Sequence, residues 1–188
     1  MNSEGTRRII ITGASGVGKT TLVEALTPLL SLPVIPELAR DICKQLGYAT
    51  ICDVPDQEEF KKTVLKAQIE KEEELGSFLA DRSALDFWVL WQRWNICTAM
   101  SYDTETYYNQ VTDQSQKYTH IIYVPPMFPP VDDGFRWTDL DYQKQIDRLT
   151  RMTIYELDLW ERTLTLTPKD TSRRAEAVLA WLEDSLTD

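Results

Sequence analysis

Gly13-Ala14-Ser15-Gly16-Val17-Gly18-Lys19-Thr20 is the stretch whose reading decides the fold. It satisfies G-x-x-x-x-G-K-[ST], the P-loop pattern, at every fixed position. Arg8-Ile9-Ile10-Ile11-Thr12 ahead of it is short, apolar and rich in β-branched residues, which predicts a buried strand. Thr20 to Leu26 behind it reads as a helix. Strand, glycine turn and helix N-terminus together make a phosphate cradle: the glycines let successive N–H groups point inward, and the helix dipole adds positive potential. On this reading Gly13, Ala14, Ser15, Gly16, Val17, Gly18, Lys19, Thr20 and Thr21 hold a nucleoside triphosphate. Lys19 reaches its β- and γ-phosphates, and the Thr20 hydroxyl ligates Mg²⁺.

The rest of the chain alternates strand and helix patterns around this loop. Leu32 to Pro36, a proline-broken apolar run, reads as an edge-like second strand. A helix follows over 37–46, closed by Gly47, and 51–55 reads as a loop. Asp56 caps a long helix to about Leu75, with Phe60, Val64, Ala67 and Ile69 inward and Glu70 to Glu74 as a solvated end. Ser77 to Ala80 is a third strand, and a helix from Ala84 to about Met100 carries Trp88, Trp91 and Trp94 on one face. That stripe reads as core packing or as a wall for a flat acceptor. A polar helix over 103–117, a strand over 119–124, a long helix over 142–162, a strand over 163–167 and a final helix capped by Thr171 or Ser172 complete the pattern. The expectation is an α/β fold: one five-stranded parallel sheet, helices on both faces, in one domain over 1–188.

Charge and composition narrow the function. A net charge of −10 argues against a broad phosphate-backbone footprint, so a nucleic-acid partner is not expected and a small molecule is. No apolar run approaches the length of a membrane span, and Met1 to Gly5 lacks the features of a signal peptide. The three cysteines do not suggest a disulfide framework, which fits a reducing cytoplasm and a role in core packing. His120, at the start of a strand, lies opposite the expected active end and reads as structural. Oligomeric state is open, a homodimer included.

What becomes of the γ-phosphate is read from the strand ends. A GTPase should carry Asp-x-x-Gly and Asn-Lys-x-Asp; Asp81-Arg82-Ser83-Ala84 and Thr167-Pro168-Lys169-Asp170 match neither. A motor ATPase should end its strand in Asp-Glu, whereas Asp81 is followed by Arg82, which suits phosphate binding better than water activation. Transfer is favoured. Two carboxylates, Glu37 and Asp81, are expected beside the loop. We assign Asp81 to the metal with Thr20, and Glu37 to the acceptor proton, with the swap left open. Arg40, one turn beyond Glu37, and Arg82 are candidates for acceptor binding. The region of about 125–141 holds four prolines and a glycine within 125–137 and reads as a lid. Arg136 on the lid, with Arg148 and Arg151 on the next helix, would neutralise the transferring phosphate.

The P-loop, Pro36-Glu37-Leu38-Ala39-Arg40, Asp81-Arg82-Ser83 and Asp133-Gly134-Phe135-Arg136, in this order and spacing, resemble the P-loop kinase domain of bacterial NAD-metabolism regulators. That domain is similar to ribosylnicotinamide kinase and belongs to a wider family of small P-loop ATPase/kinase proteins. Asp81-Arg82-Ser83 also looks like the matching segment of deoxynucleoside and thymidylate kinases. The resemblance covers most of the chain and implies a nucleoside-kinase-like fold, ATP with Mg²⁺, and an acidic residue after an early strand facing a nucleoside- or nucleotide-like acceptor. No adenylyltransferase domain accompanies it, so a composite regulator is not expected. The alternative is a nucleotide-binding ATPase or regulator with no small-molecule acceptor.

Overall fold

In a computed structural model, which describes residues 5–129 and 139–185, five parallel strands form a single sheet. The strands are β1 (Arg8–Thr12), β2 (Val34–Ile35), β3 (Phe78–Asp81), β4 (His120–Tyr123) and β5 (Thr163–Thr165), in the order β2-β3-β1-β4-β5. β1 is central: Ile11 is level with Asp81 of β3 and with Ile122 of β4. The helices are α1 (Lys19–Leu30), α2 (Leu38–Gln45), α3 (Gln57–Leu75), α4 (Ala84–Trp94), α5 (Ser101–Ser115), α6 (Leu140–Glu156) and α7 (Thr171–Asp184).

The period-2 alternation of the strands separates two cores. Ile10, Phe78, Ala80 and Ile121 face Phe60, Val64 and Leu65 of α3, Trp88 and Trp91 of α4, and Tyr107 and Val111 of α5. Ile9, Ile11, Leu79 and Ile122 face Leu22 and Leu26 of α1 and Val178 and Leu182 of α7. A sheet buried on both faces needs the near-continuous apolar strands that β1 and β4 supply. Since all five strands are parallel, their carboxyl ends lie on one edge. The P-loop after β1, Glu37 after β2 and Asp81-Arg82 at the end of β3 therefore converge.

Several elements differ from their sequence reading. α4 stops at Trp94 instead of running to Met100, and Asn95 caps it. Ile51–Asp53 is a turn of 3-10 helix, closed by a reciprocal Thr50–Asp53 capping box. α6 begins at Leu140, because the Asp139 carboxylate accepts from the N–H of Asp141 and Tyr142, and it ends at Glu156. Asp170, rather than Thr171 or Ser172, caps α7. The acidic end of α3 is not wholly solvated: Glu72 is fully buried and accepts from Gln68, Gln114 and Tyr118. Burial raises its pKa against those three donors. The inner face of α3 is Phe60, Lys61, Val64, Leu65, Gln68 and Glu72, with Ala67 and Ile69 only half-buried. Of the thiols, Cys43 packs in the core, whereas Cys52 and Cys97 are exposed. No helix among the described residues is long and apolar enough to cross a membrane.

Candidate functional site

The loop between β1 and α1 is shaped for close approach. Gly13 has φ 142°, and a side chain there would run into the Val124 carbonyl at the end of β4. Gly18, at φ 88°, is the N-cap of α1, where a Cβ would press on Arg174 at 3.2 Å. Lys19 is buried, and its Nζ donates to the carbonyls of Gly13 at 2.8 Å and Ala14 at 2.6 Å. Two residues missed in the sequence buttress the loop. Arg174 of α7, itself buried, donates from Nη1 to the Val17 carbonyl at 2.9 Å and from Nε to Pro168 at 2.8 Å. Gln143 of α6 donates to the Ser15 carbonyl at 3.0 Å. Arg174 was legible in principle, since 174, 178 and 182 fall on one helical face with Val178 and Leu182 inward.

A cleft of about 250 Å³ opens on this loop, lined by Gly16, Gly18, Lys19, Thr20, Thr21, Glu37, Arg40, Asp81 and Arg82. Thr20 Oγ1 donates to Asp81 Oδ2 at 2.5 Å. The pair offers a hydroxyl and a carboxylate oxygen, the hard donors that Mg²⁺ takes alongside substrate phosphates and water. Among the described residues no three or more His, Cys, Asp or Glu side chains are grouped so as to hold a metal ion by themselves. A dedicated protein cage is not what a phosphate-bound Mg²⁺ requires, so the residues present fit this ion.

Arg82 forms the hinge of the site. It has φ 80°, uncommon for a residue with a side chain, and it is 6% exposed. Its Nε donates to Glu37 Oε1 at 2.9 Å, its Nη1 to Asp86 at 3.3 Å and its Nη2 to the Ser15 hydroxyl at 3.4 Å. Burial would lower its pKa, but the charges of Glu37, Asp86 and Asp81 more than offset this, and it stays protonated. Asp86 also reaches back to Ser83, the N-cap of α4, accepting from its N–H at 3.0 Å. Arg40 stands 3.9 Å from the other Glu37 oxygen.

Beyond Glu37 and Arg82 lies a second chamber of about 280 Å³. Phe87, Leu90 and Trp94 of α4 form one wall, with Tyr142 beside Trp94 at a ring separation of 6.1 Å. The tryptophan stripe is thus divided. Trp88 and Trp91 belong to the core, Trp91 stacking on Tyr107 at 4.1 Å, while Trp94 is part of the chamber. Gln57 and Lys61 of α3 line the chamber as well. Burial lowers the Lys61 pKa to about 8.

The other sequence candidates lie elsewhere. Arg148 and Arg151 line a depression with Tyr123, Pro125 and Pro126, separate from both the cleft and the chamber. Arg151 pairs with Asp147 at 3.4 Å, and Asp147 also accepts from the Tyr123 hydroxyl. Arg136 and most of the proposed lid fall outside the described residues. His120 bonds Thr119 and Ser185 at 2.9 Å each, and burial, then the Arg7 charge, lowers its pKa.

The sequence matches, over residues 8–172, the family described as an AAA domain. The chain belongs to that family. It spans just under half the length of the NadR chains it resembles in structure. One, solved in complex with NR, superimposes on 87% of this chain and 46% of its own at 18% identity and a TM-score of 0.70. Another, with NAD and AMP-PNP, covers 95% and 49% at 16% identity and a TM-score of 0.71. Deoxyadenosine kinase from M. mycoides, with the products dCMP and a flexible dCDP, covers 94% of this chain and 98% of its own at 15% identity and a TM-score of 0.66. No curated protein matches the sequence. This AAA-domain chain therefore shares the fold of P-loop nucleoside kinases.

Proposed function

We propose that the protein is an ATP- and Mg²⁺-dependent phosphotransferase, built as one kinase-like unit over 1–188, acting on a small nucleoside- or nucleotide-like acceptor. One observation carries this reading: Glu37 and Arg82 line both the phosphate cleft and the aromatic chamber, and so stand where the two meet. A molecule in the chamber presents its hydroxyl to the γ-phosphate at that junction. The P-loop N–H groups and Lys19 hold the triphosphate. Thr20 and Asp81 hold the Mg²⁺, which when bound neutralises charge on the phosphate oxygens. Glu37 accepts the hydroxyl proton at its carboxylate, and Arg82 fixes the rotamer of Glu37. Phosphoryl transfer through a loose transition state needs orientation more than basicity, so a carboxylate held by an arginine suits the task. Aromatic walls suit a flat ring. The neighbours solved with NR and with dCMP support the acceptor class.

The test is ATP consumption with Mg²⁺, with and without a panel of nucleosides, nucleoside monophosphates and nicotinamide riboside. One compound should stimulate turnover and appear phosphorylated. The AAA-domain description favours a second reading, an ATPase or regulator that uses no acceptor. Slow consumption that no compound changes would select it.

A further inference from the structure

Lys61 is a buried charge with no ion-pair partner among the described residues. It is 8% exposed, and its Nζ donates to two neutral oxygens of Gln57, the backbone carbonyl at 3.2 Å and the side-chain Oε1 at 3.4 Å. Among the described residues no carboxylate lies within ion-pair distance of it. Glu58, one turn away, bonds Lys62 at 2.7 Å instead. Glu37, on the same chamber wall, is engaged by Arg82 at 2.9 Å. A buried ammonium left in this state is costly, and well-packed apolar side chains ordinarily take such positions. What Lys61 lacks, among the described residues, is a carboxylate of its own. Hydrogen-bond acceptors are already present, since Gln57 supplies two for the three protons of the ammonium.

Lys61 lines the aromatic chamber but not the phosphate cleft. The structure thus places a cation with no ion-pair partner among the described residues away from the transferred phosphate, in a chamber whose walls include Phe87, Leu90, Trp94 and Tyr142 and whose Glu37 is already held by Arg82. We infer that the acceptor carries a carboxylate on its ring portion, and that Lys61 selects for it. This rests on the chamber being the acceptor site, as proposed above. A neutral carbonyl would duplicate what Gln57 already provides; a carboxylate would complete an ion pair shielded from water.

Isothermal titration calorimetry on the full chain reads this without phosphoryl transfer. The probes are two matched pairs, nicotinic acid riboside against nicotinamide riboside and orotidine against uridine. In at least one pair the acid is expected to bind about tenfold more tightly or better, as a charge-assisted hydrogen bond implies. Lys61→Met should reduce that preference below about threefold, and Lys61→Arg should keep its direction. Weaker or equal binding of both acids, no binding of any of the four, or a preference unchanged in Lys61→Met would each overturn the inference. Its failure is separable from that of the kinase reading. A neutral compound phosphorylated while the acids are ignored would remove the carboxylate and leave the kinase. Acid-selective binding with no acceptor-stimulated ATP use would do the reverse.

Discussion

The Thr20 hydroxyl and the Asp81 carboxylate, 61 residues apart in the chain, meet at 2.5 Å across the ends of β1 and β3. The register of the two strands produces this contact: Ile11 is level with Asp81, so the loop after β1 returns over the end of β3. Each group satisfies the other, and both line the cleft with Lys19.

Asp81→Asn keeps the size of the side chain and an oxygen for Thr20 but removes the charge. We expect the Mg²⁺ requirement for turnover to rise at least tenfold and turnover to fall by about 10²-fold, with nucleotide binding in the absence of metal changed much less. A Mg²⁺ titration of ATP consumption checks this. An unaltered metal requirement would remove Asp81 from the metal site.

Glu37→Gln leaves an oxygen for Arg82 and cannot take a proton. Transfer is expected to drop by about 10²-fold or more, with ATP affinity within about threefold of the original. Single-turnover measurement alongside nucleotide titration separates the two quantities. Unchanged transfer would mean that Glu37 serves the fold alone.

Arg174→Ala strips the Val17 and Pro168 carbonyls of their buried donor. We expect a loss of about 1–3 kcal/mol in stability and a nucleotide affinity weakened several-fold, because the P-loop loses its outer support. Denaturant unfolding with and without ATP would show both effects. Arg174→Lys should restore only part, since one ammonium cannot reproduce the guanidinium fork.

Lys61→Met should stabilise the protein by about 1–3 kcal/mol at pH 7, by removing a buried charge that no carboxylate among the described residues pairs with. The sign follows from its pKa, about 8 in the folded chain against an ordinary 10.5. Below pH 8 the ammonium is charged in both states and the folded state bears the whole penalty. Between about 8 and 10.5 the folded chain sheds a proton that the unfolded chain keeps, so the wild type gains relative to the variant. The advantage of Lys61→Met should fade over that window. An advantage independent of pH would mean that packing, not charge, is at issue.

The sheet and the loop were legible because their signals are local. Ile9-Ile10-Ile11 reads as a strand, and Gly13 to Thr20 as a phosphate loop, from neighbouring residues alone. The role of Arg82 was visible only as a residue type. Its φ of 80° and its bridge from Glu37 to Asp86 depend on β2 lying beside β3, which no local pattern states. Glu72 sits in the Glu70 to Glu74 run, whose composition reads as a solvated helix end, and nothing local marks Lys61 as buried. Glu72 meets Gln114 and Tyr118 from across the core as well as Gln68 on its own helix, whereas the Lys61 ammonium bonds Gln57, one turn back on α3. The contacts of Glu72 with Gln114 and Tyr118, and the burial of Lys61, are tertiary properties. The division of the tryptophan stripe had the same origin, since only the arrival of α5 decides which indoles are covered.

The central place of β1 has a consequence for biosynthesis. Within this sheet β1 is made before both of its neighbours, and it must wait about 70 residues for β3 and about 110 for β4 before either edge is paired. Its loop then lacks its outer brace until Arg174 emerges. The loop and the arginine that braces it are thus separated by 157 residues of chain. Until then the apolar Ile9-Ile10-Ile11 segment is an unpaired β edge, the feature that makes nascent α/β chains clients of chaperones.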